Sequence, residues 1–213
     1  MGRVSTSPSA AILLPVKPPA VGKSRLGHGR APRPELAAAF ALDTARAALV
    51  TPGVAGVLVL TDDHRFAGSL AQLGCTVVPD PVDGDLNGTL RQGAQEAARR
   101  WPDARPVALC ADLPALRPAD LAEALVQVLA ADGPVFVSDA EGTGTTLYGA
   151  PLPLFDPRYG PGSTRAHLEA GAVPVGGALP TLRHDVDDAA ALDGAIDLGL
   201  GPWTAGLLAR HPG

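Results

Sequence analysis

Cysteine, methionine, lysine and aromatic residues are all scarce in this chain: two cysteines, one methionine, two lysines and eight aromatic side chains among 213 residues. The two thiols, Cys75 and Cys110, sit in apolar runs without the spacing of a zinc site or a redox pair. That excludes a disulfide scaffold, and buried reduced thiols are expected. No apolar run approaches the about 18 residues of a membrane span. The stretch 10–16 is too short for a secretory core and no small-residue cleavage site follows it, so a cytoplasmic location is expected. Repeats, heptads and low-complexity linkers are also missing. With 46% hydrophobic and 18% charged residues the chain is too apolar to be disordered. Its length suits one domain over 1–213, with residues 1–9 expected to be disordered.

Acidic residues are absent from positions 1–34, which hold Arg3, Lys17, Lys23, Arg25, Arg30 and Arg33. The whole chain is nevertheless at −5, which argues against nucleic acid or an anionic membrane as partner. A basic segment thus sits on an acidic body. Fifteen arginines stand against the two lysines, and both lysines fall in that segment. A compact ammonium that reaches a phosphate is a chemical reason for arginine not to replace them.

Short aliphatic runs alternate with alanine-rich stretches, the pattern of an α/β domain with a largely parallel sheet. Strands are expected at 11–16, 56–60, 76–79, 107–111, 135–138 and 145–149, with a further extended segment at 173–182. Helices are expected at 33–49, 63–73, 89–101, 118–131, 164–170 and 189–198. In open α/β sheets ligands bind at the carboxyl ends of strands, so the loops that follow strands are the informative segments.

The first such loop, Pro15-Val-Lys-Pro-Pro-Ala-Val-Gly-Lys-Ser-Arg-Leu26, contains Gly22-Lys23-Ser24. It lacks the first glycine of a P-loop, and Pro18 and Pro19 remove backbone donors from the phosphate cradle. It reads either as a basic loop that holds a triphosphate by charge or as a solvated surface loop. The second, Val107-Ala-Leu-Cys-Ala-Asp112, ends an apolar strand in a carboxylate. Such a group is costly unless paired or cation-bound, although Asp112 also suits a turn cap. In the third, Arg183-His-Asp-Val-Asp-Asp188, Asp185 and Asp187 share a face if the segment is extended. Magnesium takes carboxylate oxygens in such an arrangement, while Asp187 or Asp188 could equally cap the helix that follows.

Two glycine-containing segments, Asp139-Ala-Glu-Gly-Thr-Gly-Thr-Thr146 and Tyr159-Gly-Pro-Gly-Ser-Thr164, could form backbone nests for anions, and Ser163 stands where a helix begins. Asn87, in Asp85-Leu-Asn87-Gly88, is a candidate helix cap or a reader of a base edge. No G-x-S-x-G elbow is present, and the five histidines, His28, His64, His167, His184 and His211, have no recognisable nucleophile partner.

Taken in order, Pro15-Val-Lys17 with Lys23-Ser-Arg-Leu26, Asp85-Leu-Asn87, Cys110-Ala-Asp112-Leu-Pro114, the 139–146 segment, Gly160-Pro-Gly-Ser163 and Asp185-Val-Asp187 resemble the 2-phospho-L-lactate guanylyltransferase family. Bacterial members of that family include phosphoenolpyruvate guanylyltransferases. The resemblance spans about 11–200 and departs from the family pattern at Gly27-His-Gly-Arg30. It implies a nucleotidyltransferase-type three-layer α/β fold with a mostly parallel mixed sheet, and a step in making coenzyme F(420). It also implies Mg2+ as cofactor on Asp112, Asp185 and Asp187, and phosphoenolpyruvate held by Thr145, Gly160 and Ser163. Lys17 and Lys23 would act catalytically and, with Arg25 and Asn87, bind GTP; the second substrate would be a small phosphorylated carboxylic acid. Two alternatives stand beside it. One is another nucleotidyltransferase of this fold, such as a molybdopterin cofactor guanylyltransferase, whose usual Gly-rich first loop is Lys-Pro-Pro here. The other is a nucleotide-binding regulator without catalysis.

Overall fold

The computed structural model describes residues 8–16, 31–80, 82 and 84–211. Seven strands are present among them: β1 (Ser9–Pro15), β2 (Val54–Leu60), β3 (Thr76–Val78), β4 (Ala104–Leu109), β5 (Val135–Ser138), β6 (Thr145–Gly149) and β7 (Val173–Pro174). They form one sheet in the order β3-β2-β1-β4-β6-β5-β7, in which β6 alone runs against its neighbours. The helices are α1 (Arg33–Leu49), α2 (His64–Leu73), α3 (Leu86–Arg100), α4 (Pro118–Ala130), α5 (Ser163–Glu169), α6 (Ala189–Leu198) and α7 (Pro202–Arg210).

Alternation along the strands divides the core between the two faces of the sheet. Ile12, Leu14, Val57, Val59, Val107 and Leu109 face one side with Ala45 of α1 and Leu121 and Leu125 of α4. Leu13, Leu58, Leu60 and Ala108 face the other, against Leu90, Ala94 and Ala97 of α3. Both faces are covered, which is why the strands read as continuous apolar runs rather than as alternating ones. The result is the three-layer, mostly parallel mixed sheet expected from the sequence. The onward connections of β1 and β4 run toward opposite edges of the sheet, so their carboxyl ends flank the switch point where such sheets bind ligands.

Several boundaries differ from expectation. Ser9 already belongs to β1, paired with Ala104, so the expected terminal disorder does not extend to it. Of the extended segment expected over 173–182, only Val173 and Pro174 join the sheet, at its edge. α3 starts at Leu86, earlier than expected, because Asp85 caps it by accepting a hydrogen bond from the Gly88 amide at 2.9 Å. Neither thiol is in a disulfide: Cys75 is buried, and Cys110 is half-buried with its Sγ donating to the Thr145 carbonyl at 3.3 Å; burial raises the Cys75 thiol to about 11. No helix among the described residues is long and apolar enough to cross a membrane.

The terminal helix α7 was not anticipated, and its cap explains why. Gly201 precedes it and has no side chain to cap with. The orphan amides of Trp203 and Thr204 instead donate to Asp43, a buried carboxylate on α1, at 3.1 and 2.8 Å. The partner lies 160 residues away in sequence. Burial raises the Asp43 pKa, and the two amides draw it back. Asp43→Ala would leave those amides without their acceptor. It is expected to lower unfolding free energy by about 1–3 kcal/mol, read from the denaturant midpoint, while the folded variant keeps its α/β circular dichroism.

Candidate active site

The site grows from the carboxyl end of β4. Beyond Leu109 the chain continues as Cys110-Ala-Asp112, and the Cys110 amide donates to the Thr146 carbonyl at 2.8 Å, tying this segment to the start of β6. The Val186 amide donates to the Asp112 carbonyl at 3.0 Å. Val186 is itself fully buried, packed in a cluster with Leu36 and Phe40 of α1. With Val186 pointing inward, its neighbours Asp185 and Asp187 turn the other way, as expected for an extended segment. Oxygen atoms of Asp112, Asp185 and Asp187 come within 4.8 Å of one another.

Which aspartate caps α6 is also resolved. Asp188 accepts from the Ala191 amide at 2.9 Å, leaving Asp185 and Asp187 to the cluster. Burial, and then the charges of Asp112 and Asp187, push the Asp185 carboxyl up to about 7, with Asp139 contributing further. Three carboxylates at this separation are an all-oxygen donor set of the kind hard divalent cations prefer, and a cation relieves the repulsion that raises Asp185. The residues present therefore fit such an ion.

The second part of the site lies where β6 meets α5. Thr145 opens β6 and Ser163 opens α5; both are buried, with their hydroxyls 3.1 Å apart. Gly160 and Gly162 give the intervening turn its shape, with φ of 143° and 69°, values that favour glycine. The structure thus brings the three expected acceptor contacts, Thr145, Gly160 and Ser163, to one strand end and one turn.

Two expectations require correction. The 139–144 turn is not an open anion nest, because the Asp139 carboxylate already accepts from the Thr143 and Gly144 amides at 2.9 and 2.6 Å. An aspartate occupies the place proposed for a phosphate. Asn87 does not cap α3, since Asp85 does. Its amide nitrogen donates to the Tyr159 carbonyl at 2.9 Å and its oxygen accepts from the Tyr159 amide at 2.8 Å, so both ends clamp the backbone of one residue. Lys17, Lys23, Arg25 and the Gly27–Arg30 departure lie outside the described residues; the last described residue before them, Val16, follows β1 at the switch point.

One residue beside Thr145 is given no role by the sequence, where it is one of five histidines without a recognisable partner. His167, on α5, is fully buried, and its Nδ1 lies 3.0 Å from the Thr145 hydroxyl. Nothing local marks it, since its partner is 22 residues upstream.

The sheet order and its helices define a nucleotidyltransferase-type α/β fold. It is shared with the CMP:2-keto-3-deoxy-manno-octonic acid synthetase complexed with CTP, at TM-score 0.56 and 18% identity, over 89% of this chain and 98% of that one. It is shared too with the 4-diphosphocytidyl-2C-methyl-D-erythritol synthase of Anaerococcus prevotii, at TM-score 0.58 and 7% identity over 90% and 96% of the two chains. No protein-family model matches the chain. Full-length relatives are much nearer. The phosphoenolpyruvate guanylyltransferase of Thermomonospora curvata is 47% identical over 205 residues, covering 94% of this chain and 89% of the relative. That of Salinispora arenicola is 46% identical over 201 residues, 91% of each. The chain belongs to the phosphoenolpyruvate guanylyltransferase family.

The raised Asp185 pKa has a measurable sign. The folded group binds its proton up to about 7 against an ordinary value of 3.8. The cation-free protein therefore loses stability as pH rises between these two values. A divalent cation is expected to raise the melting temperature more at pH 8, where Asp185 is ionised, than at pH 5, where it is protonated. Asp185→Asn should remove most of that difference in thermal unfolding with and without magnesium chloride.

Proposed function

We propose that the protein transfers GMP from GTP to phosphoenolpyruvate, releasing pyrophosphate, as a magnesium-dependent cytoplasmic enzyme in coenzyme F(420) biosynthesis. The observation that carries this reading is the carboxylate trio at the end of β4, joined through the Cys110–Thr146 pairing to the buried hydroxyl pair Thr145 and Ser163. The first is a cation site at the switch point, and the second is a neutral donor site for an anion. The names of the full-length relatives support the same choice of donor and acceptor.

In this reading Asp112, Asp185 and Asp187 hold the magnesium ion, which when bound offsets charge on the GTP phosphates. Thr145, Gly160 and Ser163 hold the phosphoenolpyruvate through hydroxyls and backbone rather than through charge. The Asn87 clamp on Tyr159 fixes the segment that leads into Gly160. Lys17, Lys23 and Arg25 face the triphosphate. An oxygen of the acceptor phosphate attacks the α-phosphorus in line, the bond from the α-phosphorus to the α–β bridging oxygen breaks with pyrophosphate leaving, and a phosphoanhydride joins acceptor to GMP. No general base is needed, because the acceptor phosphate is ionised near neutral pH. What the residues must overcome is repulsion between two polyanions, and fixed donors aimed at the phosphates do so without reorganising.

The test is pyrophosphate release with GTP and magnesium, adding phosphoenolpyruvate, 2-phospho-L-lactate or 3-phosphoglycerate in turn, with mass detection of the adduct. A GMP adduct of phosphoenolpyruvate is expected; binding of GTP with no release for any acceptor would point instead to a regulator. Asp185→Ala is expected to lower turnover by about 100-fold or more while the protein stays folded by circular dichroism. Ser163→Ala, which breaks the hydroxyl pair, should raise the acceptor KM by about 10-fold and leave the GTP KM nearly unchanged in the same assay.

A further inference from the structure

We infer that His167 is a positioning residue, locked as the Nδ1–H tautomer, that forces the Thr145–Ser163 hydroxyl pair to present a donor rather than a lone pair to the acceptor anion. The inference rests on the reading that these two hydroxyls hold the acceptor.

The tautomer follows from partners that leave no choice. The Arg158 backbone amide donates to His167 Nε2 at 2.9 Å, and a peptide N–H can only donate, so Nε2 carries the lone pair. In a neutral ring the hydrogen is then on Nδ1, which lies 3.0 Å from Thr145 Oγ1. The carbonyl of Ser163 also faces the ring as an acceptor. Thr145 Oγ1 therefore receives a hydrogen bond from His167 and cannot give one back.

The hydroxyl pair owns two protons. One is spent between the two oxygens, 3.1 Å apart, with Ser163 donating to Thr145. The other has no acceptor in this hydrogen-bond chain and is available to a ligand. Were the imidazole inverted, with its lone pair on Nδ1, it would absorb that proton, and the pair would offer lone pairs to an anion.

The ring is held against such inversion. It is fully buried and stacked on Tyr148 and Phe136, with centroids 4.8 and 5.5 Å away, while Tyr159 meets it edge-on at 5.8 Å. Burial also lowers its pKa to about 4, against the weaker opposing contact with the Ser163 backbone. The imidazole is thus neutral at working pH, and its effect is directional rather than ionic. By accepting from the Arg158 amide it also fixes the residue just before Tyr159, whose backbone Asn87 clamps.

Two measurements on the folded full-length enzyme test this. Long-range proton–nitrogen correlation NMR of the imidazole at pH 7 is expected to show a protonated Nδ1 and an unprotonated Nε2; an Nε2–H ring or an imidazolium overturns the inference, whatever the variants do. His167→Phe keeps the ring stack and removes both nitrogens. It is expected to raise the acceptor KM by about 10-fold or more with the GTP KM within about two-fold. His167→Asn, which returns a donor near the Nδ1 position, should recover part of that loss. An unchanged acceptor KM in His167→Phe, equal rises for both substrates, or no recovery in His167→Asn each overturn it. Ser163→Ala run alongside separates the two readings. If it leaves the acceptor KM unchanged, the acceptor site itself is wrong and the inference falls with it; if it raises KM and His167→Phe does not, only the role of His167 fails.

Discussion

Three carboxylates within 4.8 Å of one another repel, and the active-site end of the sheet is organised around holding them there. Part of the hold is a backbone hydrogen bond from the Val186 amide to the Asp112 carbonyl, together with the burial of the Val186 side chain between two acidic neighbours. Burying one aliphatic side chain contributes about 1.5–3 kcal/mol. Burial, and then the neighbouring carboxylates, raise the Asp185 carboxyl to about 7. In the function proposed above, a cation turns the same arrangement into a binding site.

The acceptor side solves the opposite problem. In the function proposed above, an anion must be attracted close to an acidic trio, and the Thr145–Ser163 pair supplies hydroxyls to it. Direction substitutes for charge. The Arg158 amide orients His167, His167 orients Thr145, and Thr145 is paired with Ser163. Each bond is an ordinary one; Thr145 accepts from both His167 and Ser163, which leaves its own proton for a ligand. The Asp139 turn beside it shows the alternative use of glycine-rich backbone, closed on its own carboxylate and unavailable to a ligand.

Local pattern was a good guide wherever the cause was local. Continuous apolar runs marked the strands, because both faces of the sheet are covered. Asp112, Asp185 and Asp187 stood out as candidate cation ligands, because an acid at the end of an apolar strand and two acids with alternating spacing are each unusual in short windows of sequence, and the fold gathers them. Thr145, Gly160 and Ser163 stood out as candidates only through the ordered likeness to a family, and α7 not at all, since its cap is Asp43 on another helix. Asn87 stood open between a helix cap and a reader of a base edge, because its short window cannot reveal a partner 72 residues away.

By itself the sequence determined the α/β class, the alternation that builds two apolar faces, the acid-free basic segment and the residue types able to bind a cation and two phosphates, all of which depend on neighbours within a few positions. Tertiary structure decided which of those residues meet. It selected Asp188 rather than Asp187 as the cap, turned Asn87 onto the backbone of Tyr159 and Asp139 onto its own turn, and set a buried imidazole behind Thr145. The physical reason is that hydrogen-bond partners are exclusive: a carboxylate or amide used on one peptide is withdrawn from ligands, and which peptide comes within 3 Å is settled only when the chain closes on itself.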